Sequence, residues 1–157
     1  MIRMRDLLRD TLVIEDISAS DRNGVISEFA ELLRSAGLVG DKDEIVRLLV
    51  DRETLGSTGV GDGVAIPHGK VPGLQEMIVS FGRSRKGVDF ESMDGKPAYL
   101  FFLLLVPPNN PGEHLKMLAR ISRILKNPAL REQLRSAHDG REIRQMIIEE
   151  DSKYPQP

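Results

Sequence analysis

Apolar residues recur at helical spacing over Val25, Ile26, Phe29, Leu32 and Leu33, which places them on one face of a helix. Asp21 or Ser20 is positioned to cap that helix and Gly37 to end it. A second stripe, Ile45, Leu48 and Leu49, predicts a helix that starts near Asp41 and stops at Gly56. Residues 11–15 read as a short strand. The pattern then changes period. Val64, Ala65 and Ile66 form a short extended run, and Pro67 favours extended geometry in the residue before it. Residues 76–83 partly alternate and predict a strand, with another over 87–90 and a turn at Asp94-Gly95.

Ala98 to Val106 is an unbroken apolar run bounded by Pro97 and Pro107. Such a run predicts a central strand covered on both faces. After a proline-rich loop, His114, Leu118, Ile121 and Leu125 align on one face of a helix running from Pro111 or Gly112 to about Lys126. A short helix near 128–136 follows. Asp139 caps a last one, with Glu142 placed as in a capping box. The final residues, from 150 or 151 to 157, read as a frayed polar tail. Mixed strands and helices predict an α/β domain with a mixed sheet between helical layers.

Composition narrows the function. At 157 residues the chain is one domain's length. The absence of cysteine removes disulfides, thiolate catalysis and cysteine metal sites. The net charge of −2 and the 4% aromatic content argue against nucleic acid as the main ligand. The longest apolar run is too short for a membrane helix, which needs about 20 residues. The charged N-terminus lacks a signal-peptide core, so the cytoplasm is the expected compartment.

Residues 56–63, Gly-Ser-Thr-Gly-Val-Gly-Asp-Gly, fit neither a Walker A loop nor a dinucleotide fingerprint. Gly69-Lys70 is followed by Val71, and the alternating glycines lead into an extended run. The loop is either an anion nest of free N–H groups or a tight connector. His68 stands between stiff Pro67 and unhindered Gly69. A neutral imidazole is a good nucleophile near neutral pH and can carry a phosphoryl group on one ring nitrogen. Arg52 is either a phosphate-binding fork or a solvated helix residue paired with a carboxylate. His114, in a helix's first turn, is either an active-site group or a boundary residue. His138 reads as a surface residue. No His-Glu-x-x-His spacing supports a metal hydrolase. Lys116, Arg120 and Arg123 read as a solvated stripe, and Arg83 to Lys86 as either a docking surface or a solvated turn.

Arg52-Glu53, Gly56-Ser57-Thr58-Gly59-Val60-Gly61 and Ala65-Ile66-Pro67-His68-Gly69-Lys70 together resemble the IIA domain of the fructose/mannitol class of the bacterial phosphotransferase system. Leu103 to Pro107 and His114-Leu115 extend the resemblance, which covers residues 5–149 and leaves 150–157 as the tail. It implies one α/β domain with a sheet of about five strands flanked by helices. It implies a phosphotransferase component in which His68 accepts a phosphoryl group, on Nε2, from the phosphohistidine of a carrier of the HPr type. Arg52 and His114 then stabilise that group, and Ser57, Thr58, Gly59, Gly61, Pro67 and Gly69 support the site. No metal or organic cofactor is implied. Sugar-transport members are often fused to further domains, whereas this sequence holds one IIA unit. The stretch from Arg52 to Gly61, with Gly69-Lys70, is similar to the nitrogen-regulatory branch. There the donor is an HPr paralogue and the phosphorylation state selects regulatory target proteins. The alternatives are a free-standing IIA component of fructose or mannitol uptake, passing phosphate to a IIB domain, and a binding module that no longer transfers.

Overall fold

The computed structural model describes residues 3–154. A single six-stranded mixed sheet organises it. The elements run α1 (Met4–Leu7), a 3-10 turn at Asp10–Leu12, β1 (Val13–Ile14), α2 (Arg22–Ser35), α3 (Lys42–Thr54), β2 (Gly59–Gly61), β3 (Val64–Ala65) and β4 (His68–Lys70). They continue with β5 (Ile78–Val88), β6 (Ala98–Val106), α4 (Pro111–Leu125), α5 (Pro128–Ser136) and α6 (Gly140–Ser152).

The run Ala98–Val106 is the central strand β6, antiparallel to β5 on one side. On its other side β3 and β4 follow one another along the same edge, both parallel to β6, with Val64 opposite Leu100 and His68 opposite Leu104. They are two halves of one row, interrupted at Ile66-Pro67. Proline has no N–H to give the ladder, so a break belongs there. Pro67 still accepts a bond from the Leu104 N–H, at 3.0 Å. Counting that row once gives the five rows expected, in the order β1, β5, β6, β3, β2.

Side chains alternate across β6 because strand periodicity is two. Leu100, Phe102, Leu104 and Val106 join a core with Met117, Ile121, Ile124, Leu134, Ile143 and Ile147 from the three C-terminal helices. Phe101, Leu103 and Leu105 join the opposite core with Val25, Phe29, Leu33, Ile45 and Leu49 from α2 and α3. Both faces of the sheet are therefore covered. Each fully buried Leu or Phe contributes roughly 1.5–3 kcal/mol, so these two cores dominate stability. Caps fix the helix ends. Asp21 accepts from the Gly24 N–H, Asp41 from Asp43 and Glu44, Asn110 from Glu113 and Asp139 from Glu142. The carboxylate of Glu142 does not close a capping box. It accepts from the His138 N–H instead, at 3.3 Å.

Several local expectations are corrected. Residues 11–15 hold the end of a 3-10 turn and only a two-residue strand, and α1 precedes them. The two strands expected over 76–83 and 87–90 are one strand, β5, with an irregularity between Arg83 and Val88. The stretch Arg83–Lys86 is strand rather than turn, with Arg83 and Ser84 buried and Arg85 and Lys86 exposed. Arg83 is fully buried, and its guanidinium donates to the carbonyls of Glu15, Leu134, Arg135 and Ala137 at 2.8–3.2 Å. The tail expected from 150 starts inside α6, where Glu150 and Asp151 are buried. Asp151 takes a bidentate bond from Arg120 at 2.6 Å, and Arg123 lies over the Tyr154 ring. The basic stripe on α4 is thus largely engaged with the end of the chain. Among the described residues, no helix is long and apolar enough to cross a membrane.

Candidate functional site

Three elements converge on His68. Gly69 lets β4 pass close beneath α3, because a Cβ there would lie 2.5 Å from Leu48 Cδ2. A side chain at that position would force Leu48 on the helix that carries Arg52 to shift. The start of α4 closes the site from the other side. His114 sits in its first turns, its ring centroid 5.5 Å from that of His68 in an edge-on arrangement.

His68 Nδ1 lies 2.7 Å from the Ile66 carbonyl oxygen. A carbonyl only accepts, so Nδ1 carries the proton and donates it. In the neutral ring this leaves the lone pair on Nε2. His68 is held below the ordinary imidazole pKa. Burial is the main cause, and the Arg52 cation adds to it. The Ile66 bond and the Glu53 carboxylate act the other way. The neutral, nucleophilic form therefore persists at lower pH than for a free histidine.

His114 Nε2 is buried and has no hydrogen-bond partner. Leaving such a group unpaired costs about 1–3 kcal/mol. Burial lowers the pKa of His114, helped by repulsion from His68, Lys70 and Arg52. Arg52 ends α3 and gives one hydrogen bond, from Nη1 to the Gly56 carbonyl at 3.0 Å. Among the described residues it forms no ion pair with a carboxylate, and its charge reaches both imidazoles. The sequence reading thus placed His68, His114 and Arg52 in one neighbourhood, and they share it. His138 lies elsewhere, 88% exposed and bonded to Glu142.

The glycine loop behaves as a connector rather than an anion nest. The Thr58 N–H donates to Glu53 and the Gly59 N–H to the Ser57 hydroxyl, both at 3.0 Å. Gly61 has φ 98° and leads with Asp62 and Gly63 into the turn between β2 and β3, where glycine costs no strain. The residue missed by sequence reasoning is Glu53, only 4% exposed, which binds both the N–H and the hydroxyl of Thr58. A signal was present: a carboxylate in the last turn of a helix opposes the helix dipole and wants a specific partner. Among the described residues, no three His, Asp or Glu side chains form a metal-ligating group.

A family model described as "Phosphoenolpyruvate-dependent sugar phosphotransferase system, EIIA 2" matches residues 6–150. The chain belongs to this family of phosphotransferase components. It is similar to the nitrogen regulatory protein of Bradyrhizobium diazoefficiens, with 40% identity over 139 residues, 88% of this chain and 90% of that one. It is also 38% identical over 128 residues to the fructose-specific EIIA component of Haloferax volcanii, covering 82% and 83% of the two chains. The crystal structure of nitrogen regulatory protein IIA-Ntr from Neisseria meningitidis superposes with a TM-score of 0.83 and 35% identity, covering 90% of this chain and 97% of that one.

Proposed function

We propose that this protein is a phosphoryl carrier in which His68 Nε2 accepts the group from the phosphohistidine of an HPr-type protein. The observation that carries this reading is the 2.7 Å contact of Nδ1 with the Ile66 carbonyl, which leaves Nε2 as the free nucleophile. In the transfer a P–Nε2 bond forms as the donor's P–N bond breaks, and the bonding pair returns to the donor ring. The Nδ1 proton stays in place, so the phosphorylated ring is cationic and remains a good leaving group for the next transfer.

Phosphoryl transfer needs positioning and charge stabilisation more than bond chemistry from the protein. Arg52 supplies a cation on one side. His114 supplies a buried ring nitrogen that lacks a partner until a phosphoryl oxygen arrives. Leu55 and Leu115 stay 84% and 67% exposed. They follow Arg52 and His114 closely in sequence, and a partner protein would cover them while docking. The compartment that fits such partners is the cytoplasm.

The likeness to nitrogen regulatory proteins favours a regulatory output, with a nitrogen-branch HPr paralogue as donor and target proteins that distinguish the two phosphorylation states. The likeness to a fructose-specific EIIA component supports a second reading, transfer from HPr to a IIB domain for sugar uptake. The test mixes the protein with phosphoenolpyruvate, the first enzyme of the relay and each carrier in turn, and follows intact mass. One acid-labile phosphate per chain is expected, and none on His68→Ala. Faster uptake from the paralogue supports the regulatory branch, and faster uptake from HPr supports sugar transport. A His68→Ala protein that still takes up phosphate overturns the carrier assignment.

A further inference from the structure

Hydrogen bonds tie Glu53 to the backbone of Thr58, Thr58 to Ile66, and Ile66 to the reactive ring. The Thr58 N–H donates to Glu53 Oε1 at 3.0 Å, and the Thr58 hydroxyl donates to Oε2 at 2.5 Å. The Thr58 carbonyl accepts the Ile66 N–H at 3.0 Å. The Ile66 carbonyl accepts from His68 Nδ1 at 2.7 Å. The N–H and the carbonyl of Thr58 lie on either side of its Cα, as do those of Ile66, so these bonds act by fixing where the Ile66 carbonyl sits rather than by passing polarisation along the backbone.

Structure alone does not require a carboxylate here. Burying an ionised group is costly, and a neutral amide of the same shape could accept from the Thr58 N–H and donate to its hydroxyl. The charge is useful at the ring. Its field reaches His68, opposite in sense to that of Arg52. Arg52 and Glu53 are adjacent at the end of α3. One faces the incoming anion's charge, and the other supports the proton that must remain on Nδ1 while Nε2 is phosphorylated.

We propose that Glu53 is a positioning residue for phosphoryl transfer, acting through Thr58 and Ile66 to hold His68 in the Nδ1–H tautomer with Nε2 unprotonated. This rests on the reading of His68 as the phosphoryl acceptor, although the tautomer can be measured without any donor. The other groups that face His68 are Arg52 and His114, with Lys70 beside His114. None of them offers an acceptor to Nδ1 in the way Ile66 does.

The test uses the full chain labelled with 15N and reads His68 ring nitrogens by long-range proton–nitrogen correlation across a pH series. The variants are Glu53→Gln, Thr58→Val and the conservative Thr58→Ser. Wild type is expected to show a protonated Nδ1 and an unprotonated Nε2 above its titration. Glu53→Gln is expected to shift the His68 titration to lower pH and to raise the share of the other tautomer. It should slow phosphate uptake about tenfold with kcat affected more than KM for the carrier. Thr58→Val should move the tautomer in the same direction, and Thr58→Ser should restore it. Unfolding midpoints of Glu53→Gln and Thr58→Ser should stay near wild type.

A wild-type tautomer and titration in both Glu53→Gln and Thr58→Val would overturn the proposal, as would slower uptake that tracks lost stability alone. Should Thr58→Val unfold, Glu53→Gln still decides, since it changes charge and keeps shape. Phosphate uptake by His68→Ala would sink the acceptor reading, whereas an unmoved tautomer sinks only the role of Glu53.

Discussion

Two arginines show how this molecule divides its buried charge. Arg83 lies wholly inside, and four backbone carbonyls receive its protons from two strand-side and helix-end segments. It ties the C-terminal end of α5 to β5, where carbonyls lacking helical partners also present the negative end of the helix dipole. Arg52 ends α3 half-buried, with one bond to the Gly56 carbonyl. Most of its donor capacity is uncommitted beside two imidazoles. A guanidinium has five N–H donors. Where Nε and Nη1 are both held by backbone carbonyls the residue is architecture, and where most donors stay open beside a nucleophile it is equipped to meet an anion.

Replacing the architectural arginine is expected to have the largest effect on the fold. Arg83→Met strands buried carbonyls of Glu15, Leu134, Arg135 and Ala137, at a cost on the order of 3 kcal/mol. Urea unfolding measures that loss, while phosphate uptake per folded molecule should match wild type. Slowed uptake in the folded fraction would break the division. Arg52→Ala should do the reverse. Removing a preorganised cation from developing charge costs about 10²-fold in rate, near 2.7 kcal/mol. Stability should change by less than about 1 kcal/mol, because only one exposed hydrogen bond is lost. Wild-type uptake kinetics would remove Arg52 from the site.

The next effect is smaller and depends on pH. His114→Ala should slow uptake about tenfold, the worth of one hydrogen bond to a charged group at roughly 1.5 kcal/mol. A lower melting temperature with normal uptake would make His114 a packing residue. Both imidazoles titrate below their ordinary value, chiefly because burial disfavours the cation. Uptake by wild type should therefore hold steady as pH falls to the ordinary imidazole pKa, near 6.5, and decline only below it. The linkage has a definite sign. A folded pKa below the unfolded one means that the unfolded chain binds the proton first. The stability these residues give is present above the unfolded pKa and is lost as pH falls through the folded one. Denaturant midpoints measured across that range should show wild type losing stability faster than a His68→Gln, His114→Gln double variant.

Much of this arrangement was readable beforehand, and the reasons are local. The caps Asp21, Asp41 and Asp139, the central strand 98–106 and the stripe on α4 depend on spacing within a few residues, which a sequence displays directly. The Pro67-His68-Gly69 core carried the family likeness. What escaped depends on partners far along the chain. Arg83 looked solvated among charged neighbours, yet its acceptors lie more than 50 residues away in sequence. Asp151 looked like tail until Arg120 met it from α4. Glu53 binds within five residues, but its meaning comes from the later link between Ile66 and His68. The glycine loop was open to two readings because composition reveals turning freedom and not which N–H groups are already taken.

The smallest expected effect sharpens the comparison by repeating it with histidines. His114 and His138 both stand at the beginning of a helix, and both lie near a carboxylate-bearing turn. His138 is 88% exposed, and its Nδ1 is 3.2 Å from Glu142 Oε2. Its ring already has a partner and water around it, so nothing is left for a ligand to satisfy. An exposed pair of this kind contributes little once side-chain entropy and solvent screening oppose it. His138→Ala should therefore change unfolding free energy by no more than about 0.5 kcal/mol and leave phosphate uptake at the wild-type rate. The contrast with His114→Ala then isolates the feature that matters, a ring nitrogen buried without a partner beside His68. Were His138→Ala to slow uptake as much as His114→Ala, helix position alone would account for both, and the unpaired nitrogen would lose its role in the argument.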